Sequence, residues 1–339
     1  MSDLARHHHY IPQGYLRGFA QKSGKRQWYV EVNDLEAKRS YKTNVRNVCG
    51  ERDFMRIDMQ GHSPDKIEGE LAVFESHCIE AIRRVAISGS FEGEDANLTM
   101  NLMALLAVRS PEMRENIRGF HERVAKRFMH LTLETKERYE GEMQRLRATN
   151  KSVTDPVTYE DMKNFVERGE YKVTVQREHH MGTEFQLMST VLKEIGKRRW
   201  TIYRTDGKLG EFITTNRPVT LTYIDPTNVP SWMAHSPGFA LQGTEIHFPL
   251  TRNAMLVGRW DRGGYVEEAQ QSFIAAVNRH MIQHSLGKVF SREKEVLYAD
   301  SLLCFHRDNK LVQRFTTPPT NQEIAMFEAN WGKSDASKN

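Results

Sequence analysis

Apolar residues recur along this chain with two periods, and the change from one to the other falls near residue 197. In SPDKIEGELAVFESHCIEAIRRVAISG, Ile67, Leu71, Phe74, Cys78, Ile82 and Val85 stand at three- and four-residue intervals. That spacing predicts an amphipathic helix, opened by Ser63 or Asp65 as N-cap and stopped by Gly89. A second apolar helix, LTMNLMALLAVRS, runs to Pro111, which then starts a third. The third, residues 111–149, is long and densely charged, with its apolar positions in a narrow seam. It is expected to project or to pack on a partner helix, which offers a route to homo-oligomers. A turn at Asp155-Pro156 opens a further helix through Glu167, and GTEFQLMSTVLKEIGK gives one more.

After Lys197 the period shortens. RRWTIYRT, GEFITTN, VTLTYI, TEIHFPL and AMLVGRW are short β-branched and aromatic runs separated by Gly, Pro, Asn and Asp, and they predict an antiparallel sheet. A last helix, EEAQQSFIAAVNRHMIQHSLGK, ends at Gly287 and is followed by a strand, KVFS, and a polar, fraying tail. Near the start, WYVEV and RSYKT flank a polar connection and predict a hairpin. The expected fold is therefore α+β, predominantly helical, with an antiparallel β-sheet in the C-terminal half and a small N-terminal cap containing a β-hairpin. Its expected segments are a cap at 1–62, a helical region at 63–197, a sheet with a helix at 198–295 and a strand and tail at 296–339, joined as one intimate unit.

Bulk properties narrow the class. With 339 residues, 39% hydrophobic and 27% charged, the chain suits a globular protein. No apolar run reaches the roughly 20 residues that span a bilayer, so neither a membrane partner nor a secretory leader is expected and the location expected is cytoplasmic. Three widely spaced cysteines, Cys49, Cys78 and Cys304, form neither a disulfide framework nor a zinc knuckle. A net charge of +4 permits phosphate-rich partners without demanding them. The absence of GxGxxG, GxxxxGK[ST] and GxSxG patterns sets aside nucleotide motors, dinucleotide oxidoreductases and α/β-hydrolases, and no nucleotide or flavin cofactor is expected.

HHYIPQGYLRGF, NVCGERDF, IEGELAVFE, LAVRSPEMRE, FITTNRPV, IHFPLTRNAMLV and VNRHMIQHSLGKVFS occur here in an order that resembles the prokaryotic domain-of-unknown-function family 4238. The resemblance runs from His8 to about Ser291 and brings no activity with it. Its N-terminal signature, H-x-x-P-x-x-Y-L-x-x-F, is matched by His9, Pro12, Tyr15, Leu16 and Phe19, with His8 a less constant companion and Arg109 the arginine before its Ser-Pro pair. Where the family usually reads S-D-x-P, this chain has Thr215-Asn216-Arg217-Pro218, so an asparagine stands where an aspartate could ligate metal.

The chemistry candidates follow. In an extended segment His7 and His9 share one face and His8 takes the other, so the three imidazoles do not converge on one ion. A neutral imidazole is the common general base near neutral pH, which makes His9 the candidate base or ligand; the competing reading is a hydrogen-bonded histidine inside the cap. Glu51 and Asp53, two apart, would hold Mg²⁺ or Mn²⁺ with His9, or else pair with Arg52 and Arg56 on the surface. Glu68 and Glu75, seven apart, stack on one helix face. Arg109 closes an apolar helix and would clamp a phosphate, or pair internally with Glu75. Arg114, Arg118, Lys126, Arg127, Arg198 and Arg199, with Phe128 and Trp200 nearby, form a candidate nucleic-acid surface, against which Glu115 and Glu122 are interleaved. His8, Asn216 and Asn278 are the remaining candidates for lining a pocket. His280 and His284 have helical metal-ligand spacing without the glutamate of HExxH.

Two functions are expected from these residues. One is a metal-dependent nuclease or phosphodiesterase, an effector in bacterial defence or a toxin context, with His9, Glu75 and Arg109 catalytic and His9, Glu51 and Asp53 holding the cation. The other is a non-enzymatic nucleic-acid-binding or ligand-sensing module.

Overall fold

The computed structural model describes residues 7–52, 54, 66–149, 157–169, 171–173, 177–225, 229 and 237–318. Contacts divide the chain into two compact units, Met1–Ser110 with Phe185–Asn339, and Pro111–Glu184. The fold is α+β, as the two periods imply. Among the described residues no helix is long and apolar enough to cross a membrane.

The first unit begins with β1 (His7–His9), α1 (Gln13–Leu16), β2 (Gln21–Ser23), β3 (Gln27–Asp34), β4 (Arg39–Asn44) and β5 (Gly50–Arg52). β3 and β4 are the predicted hairpin, closing with Asp34 opposite Arg39. Its turn is tied by the Asp34 carboxylate, which accepts the Ala37 amide at 2.9 Å. β1 pairs antiparallel with β5, setting His8 opposite Glu51 and His9 opposite Gly50. The two helices that follow are α2 (Lys66–Ser88) and α3 (Gly93–Val108). Of the predicted α2 stripe, Cys78, Ile82 and Val85 are buried, and Gly89 at φ 75° ends the helix in the left-handed region that favours glycine. Ser63, Asp65 and the Ile67 side chain lie outside the described residues.

The second unit corrects one expectation. Residues 111–149 are two helices, α4 (Pro111–Thr132) and α5 (Lys136–Thr149), not one. Leu133 between them is buried in a small core with Tyr139 and with Val166 of α6 (Tyr159–Arg168). Packing Leu133 and Tyr139 together requires the chain to turn at that point, and Thr135 accepts the Arg138 amide at 3.3 Å to start the new helix. α6 is capped by Thr158 at one end and by Gly169, at φ 67°, at the other.

α7 (Arg177–Ile195) leads to β6 (Arg199–Arg204), β7 (Thr214–Thr215), β8 (Thr220–Tyr223), β9 (Thr244–Thr251), β10 (Ala254–Arg259), β11 (Val266–Glu268), α8 (Gln271–Gln283), β12 (Lys288–Ser291), β13 (Val296–Ala299), β14 (Phe305–Asp308) and α9 (Leu311–Thr316). One sheet has the order β11-β6-β10-β9-β8, antiparallel except for β11 against β6. β7, predicted in the same sheet, instead pairs with β12 in a second one, β2-β3-β12-β7 with β4 on β3. The segment after β12 is not a frayed tail through Thr316. Val296, Leu297, Tyr298 and Ala299 are all buried in the core formed with Ile274, Val277 and Met281 of α8. Four consecutive buried side chains make that run part of the core on both faces of the strand.

The N-terminal signature fastens this unit together. Tyr15 donates to the Pro249 carbonyl at 2.7 Å, lies 3.0 Å from the Thr214 hydroxyl and stacks on Phe248 at 5.5 Å. Leu16 and Phe19 have no exposed surface. Gly14 lets α1 approach α2 so closely that a Cβ there would sit 2.5 Å from Ile79 Cδ1.

Candidate functional site

Packing α1 on α2 opens a cleft of about 150 Å³ beside the N-terminal strand. His8, His9, Pro12 and Gln13 form one wall, Glu68, Leu71, Ala72 and Glu75 of α2 the other, and Arg109 reaches in from the end of α3. The α2 residues face the cleft together because positions three, four and seven apart share one side of a helix.

An imidazole–carboxylate contact and an ion pair occupy the cleft. His8, with a side chain 2% exposed, places Nε2 3.1 Å from Glu68 Oε2. Arg109, equally buried, donates from Nη2 to Glu75 Oε1 at 2.5 Å and from Nε to the Tyr10 carbonyl at 3.2 Å. His9 is less buried and its Nε2 lies 3.0 Å from the Arg46 carbonyl. Strand alternation thus sends His8 inward to a carboxylate while both imidazoles still border the cleft. Behind it, the Tyr10 phenol lies against the Cys49 thiol and the Asn216 side chain, and burial raises its pKa. Burial also pushes Cys49 up to about 12, which keeps that thiol protonated and unreactive at neutral pH.

Of the predicted site residues, His8, His9, Glu75 and Arg109 meet in this cleft. Glu51 is exposed, opposite His8 in the β1–β5 pair, and does not line it. Asp53 lies outside the described residues. Asn216 and Asn278 hold backbone instead of lining the cleft. Asn216 donates to the Leu286 carbonyl at 2.6 Å and accepts the Leu286 and Lys288 amides, fixing the turn after α8. An aspartate there would lack the donor for that carbonyl. Asn278, wholly buried, donates to the Glu211 and Leu297 carbonyls and accepts the Ile213 amide. Among the described residues no group of three or more His, Cys, Asp or Glu is arranged to hold a metal ion.

The predicted basic surface is largely dispersed. Arg198 is not on a surface at all: it is buried, donating to the Thr244, Gly258 and Phe239 carbonyls, with Trp260 4.8 Å from its guanidinium carbon. Desolvation lowers its pKa to about 10, and carbonyl oxygens stand in for water around the cation. Trp200 is buried as well, packed over Gly258. Arg114 pairs with Glu184, Arg118 with Glu115 and Glu122, and Lys126 with Glu122. Arg127 and Arg199 are exposed.

Two arrangements had only faint sequence signals. Glu68 was marked only by its seven-residue step to Glu75, and nothing in the sequence joined it to His8, 60 positions away. The second arrangement extends the His280/His284 pair. His247 of β9 lies 4.9 Å from the His280 ring, which lies 4.1 Å from His284, and His247 Nε2 is 3.2 Å from Glu245 Oε1. Among the described residues, His247 Nδ1 and His280 Nε2 are buried without a hydrogen-bond partner.

A family model described as a protein of unknown function, DUF4238, matches residues 7–295. No curated protein and no solved structure matches the chain.

Proposed function

We propose, for a chain that belongs to the DUF4238 family of proteins of unknown function, that the cleft between β1 and α2 hydrolyses phosphodiester bonds of nucleic acid. The observation that carries this reading is the meeting of two imidazoles and a buried guanidinium round one cavity. A carboxylate on one ring nitrogen, as Glu68 is to His8, fixes the orientation of the imidazole. His9, neutral, takes the proton of an attacking water as the water oxygen bonds to phosphorus. Arg109 stabilises the phosphoryl oxygens with its planar fork, exchanging Glu75 for the substrate. Protonated His8 then gives its proton to the leaving oxygen as the phosphorus–oxygen bond breaks, and proton exchange with solvent resets both rings. A divalent cation, Mg²⁺ or Mn²⁺, enters the proposal only through Glu51, which does not line the cleft, and Asp53, which lies outside the described residues.

A non-enzymatic reading has one observation in its favour. The Arg109–Glu75 ion pair is closed, so an anion would be sensed by displacing Glu75 from Arg109 without any covalent bond being broken.

Purified protein incubated with RNA, single-stranded DNA and duplex DNA, each with Mg²⁺, Mn²⁺ or EDTA, separates the readings. Cleavage lost in His9→Ala and His8→Ala and sharply reduced in Arg109→Lys is expected. Cleavage indifferent to both histidines would sink the assignment, and binding without cleavage on every substrate would favour sensing.

A further inference from the structure

α4 carries an outward face that the cleft does not use. Phe120 and Phe128 are each 56% exposed, Val124 49% and Leu131 45%, and they follow one another at steps of four, four and three. At 1.5 Å per residue they make one stripe about 16 Å long. Arg123 and Arg127 are exposed along its edge. At 100° per residue, Glu115 and Glu122 fall on the opposite side of the helix, where they neutralise Arg118 and Lys126. Among the described residues Arg123 and Arg127 pair with no carboxylate. The stripe is therefore apolar, aromatic at two points and positive along one edge.

That combination selects the occupant. A second copy of α4, packed antiparallel with Val124 at the crossing, would match Phe120 with Phe128 but would set Arg123 and Arg127 against the same two arginines. The covering partner must bring negative charge and flat apolar surface together. Duplex DNA hides its base faces inside the stack, whereas a single strand presents them beside its phosphates. Aromatic side chains beside arginines are the usual means of holding such a strand, by base stacking and phosphate pairing. We propose that this face of α4 is a docking track for single-stranded nucleic acid: bases stack on Phe120 and Phe128, while Arg123 and Arg127 pair with the phosphates. The identity of the partner rests on the nucleic-acid reading of the cleft, but the surface lies on another compact unit and is tested separately.

The test is anisotropy titration of the full chain with a fluorescein-labelled 20-nucleotide oligo-U and oligo-dT and a duplex of the same length, at several salt concentrations. Single strands are expected to bind more tightly than duplex. Phe120→Ala with Phe128→Ala should weaken binding roughly fivefold or more with little change in salt dependence. Arg123→Glu with Arg127→Glu should weaken it and flatten the plot of log affinity against log salt by about 1.4, two phosphate contacts' worth. All four sites are exposed, so unchanged thermal melts will certify that the variants fold. No binding to single strands, or binding indifferent to both pairs of substitutions, overturns the proposal. So does Phe-dependent binding to phosphatidylserine vesicles or to a Glu-rich amphipathic peptide in place of oligonucleotide, which would reassign the face to lipid or protein. Strand binding through α4 without cleavage by any form would uphold this inference and discard the hydrolase.

Discussion

Arg109 and Glu75 close a 2.5 Å ion pair between the end of α3 and the middle of α2, and the same guanidinium reaches the Tyr10 carbonyl one residue after His9. One buried cation therefore ties both helices to the strand that presents the histidines. Removing a partner from such a pair leaves an uncompensated buried charge, which costs about 3–5 kcal/mol. Glu75→Ala should lower the unfolding free energy measured by denaturant titration by that amount, and Glu75→Ala with Arg109→Met should recover part of it. A double variant no more stable than Glu75→Ala would show that the pair does not act as a unit.

Tyr15→Phe keeps the ring stacked on Phe248 and deletes the hydroxyl that satisfies the Pro249 carbonyl. The expected loss is about 1–3 kcal/mol of unfolding free energy, the cost of a buried acceptor left without its donor. An isothermal denaturation curve within about 0.5 kcal/mol of wild type would contradict the clamp assigned to this hydroxyl.

Gly14→Ala tests the approach of α1 to α2. The added Cβ meets Ile79 Cδ1 at 2.5 Å, so either Ile79 changes rotamer in a packed core or the helices separate. Overpacking of this kind costs about 1–3 kcal/mol. Pairing the substitution with Ile79→Val, which shortens the clashing side chain, should restore part of the loss in thermal melts.

His280 gives the stability a pH dependence. Burial, followed by the neighbouring His247 and His284, holds its pKa down to about 2, against 6.5 when exposed. The native state keeps this ring neutral while the unfolded chain protonates it below pH 6.5. Its full contribution is therefore present above pH 6.5 and declines as the pH falls toward 2, by about 1.4 kcal/mol per pH unit. His280→Phe preserves a ring between its neighbours and should flatten the fall in stability between pH 6.5 and 5, a window above the ordinary carboxylate range. Parallel wild-type and variant profiles in urea melts across that window would refute the assignment.

Local chemistry sufficed for much of this protein. The α+β class, the β3–β4 hairpin, α2 with its glycine stop and α8 all follow from periodicity and turn residues, because their hydrogen bonds close within the element or with its sequence neighbour; the strand KVFS follows from residue type alone, since its partners β3 and β7 are distant in the chain. His9, Glu75 and Arg109 could be nominated because a histidine before a rigid proline and an arginine ending an apolar helix both need a reason to be there. The break at Leu133, the departure of β7 to the second sheet and the burial of Val296–Ala299 were decided by packing against segments distant in the chain. The same is true of the site. Residue type alone stacked Glu68 and Glu75 on one helix face, left Glu75 either catalytic or paired with Arg109, and made Arg198 a surface cation. Only the tertiary arrangement set His8 against Glu68 and Arg109 against Glu75 and enclosed Arg198 among carbonyl oxygens, because desolvation and partner choice depend on which surfaces meet, and that is a property of the folded chain.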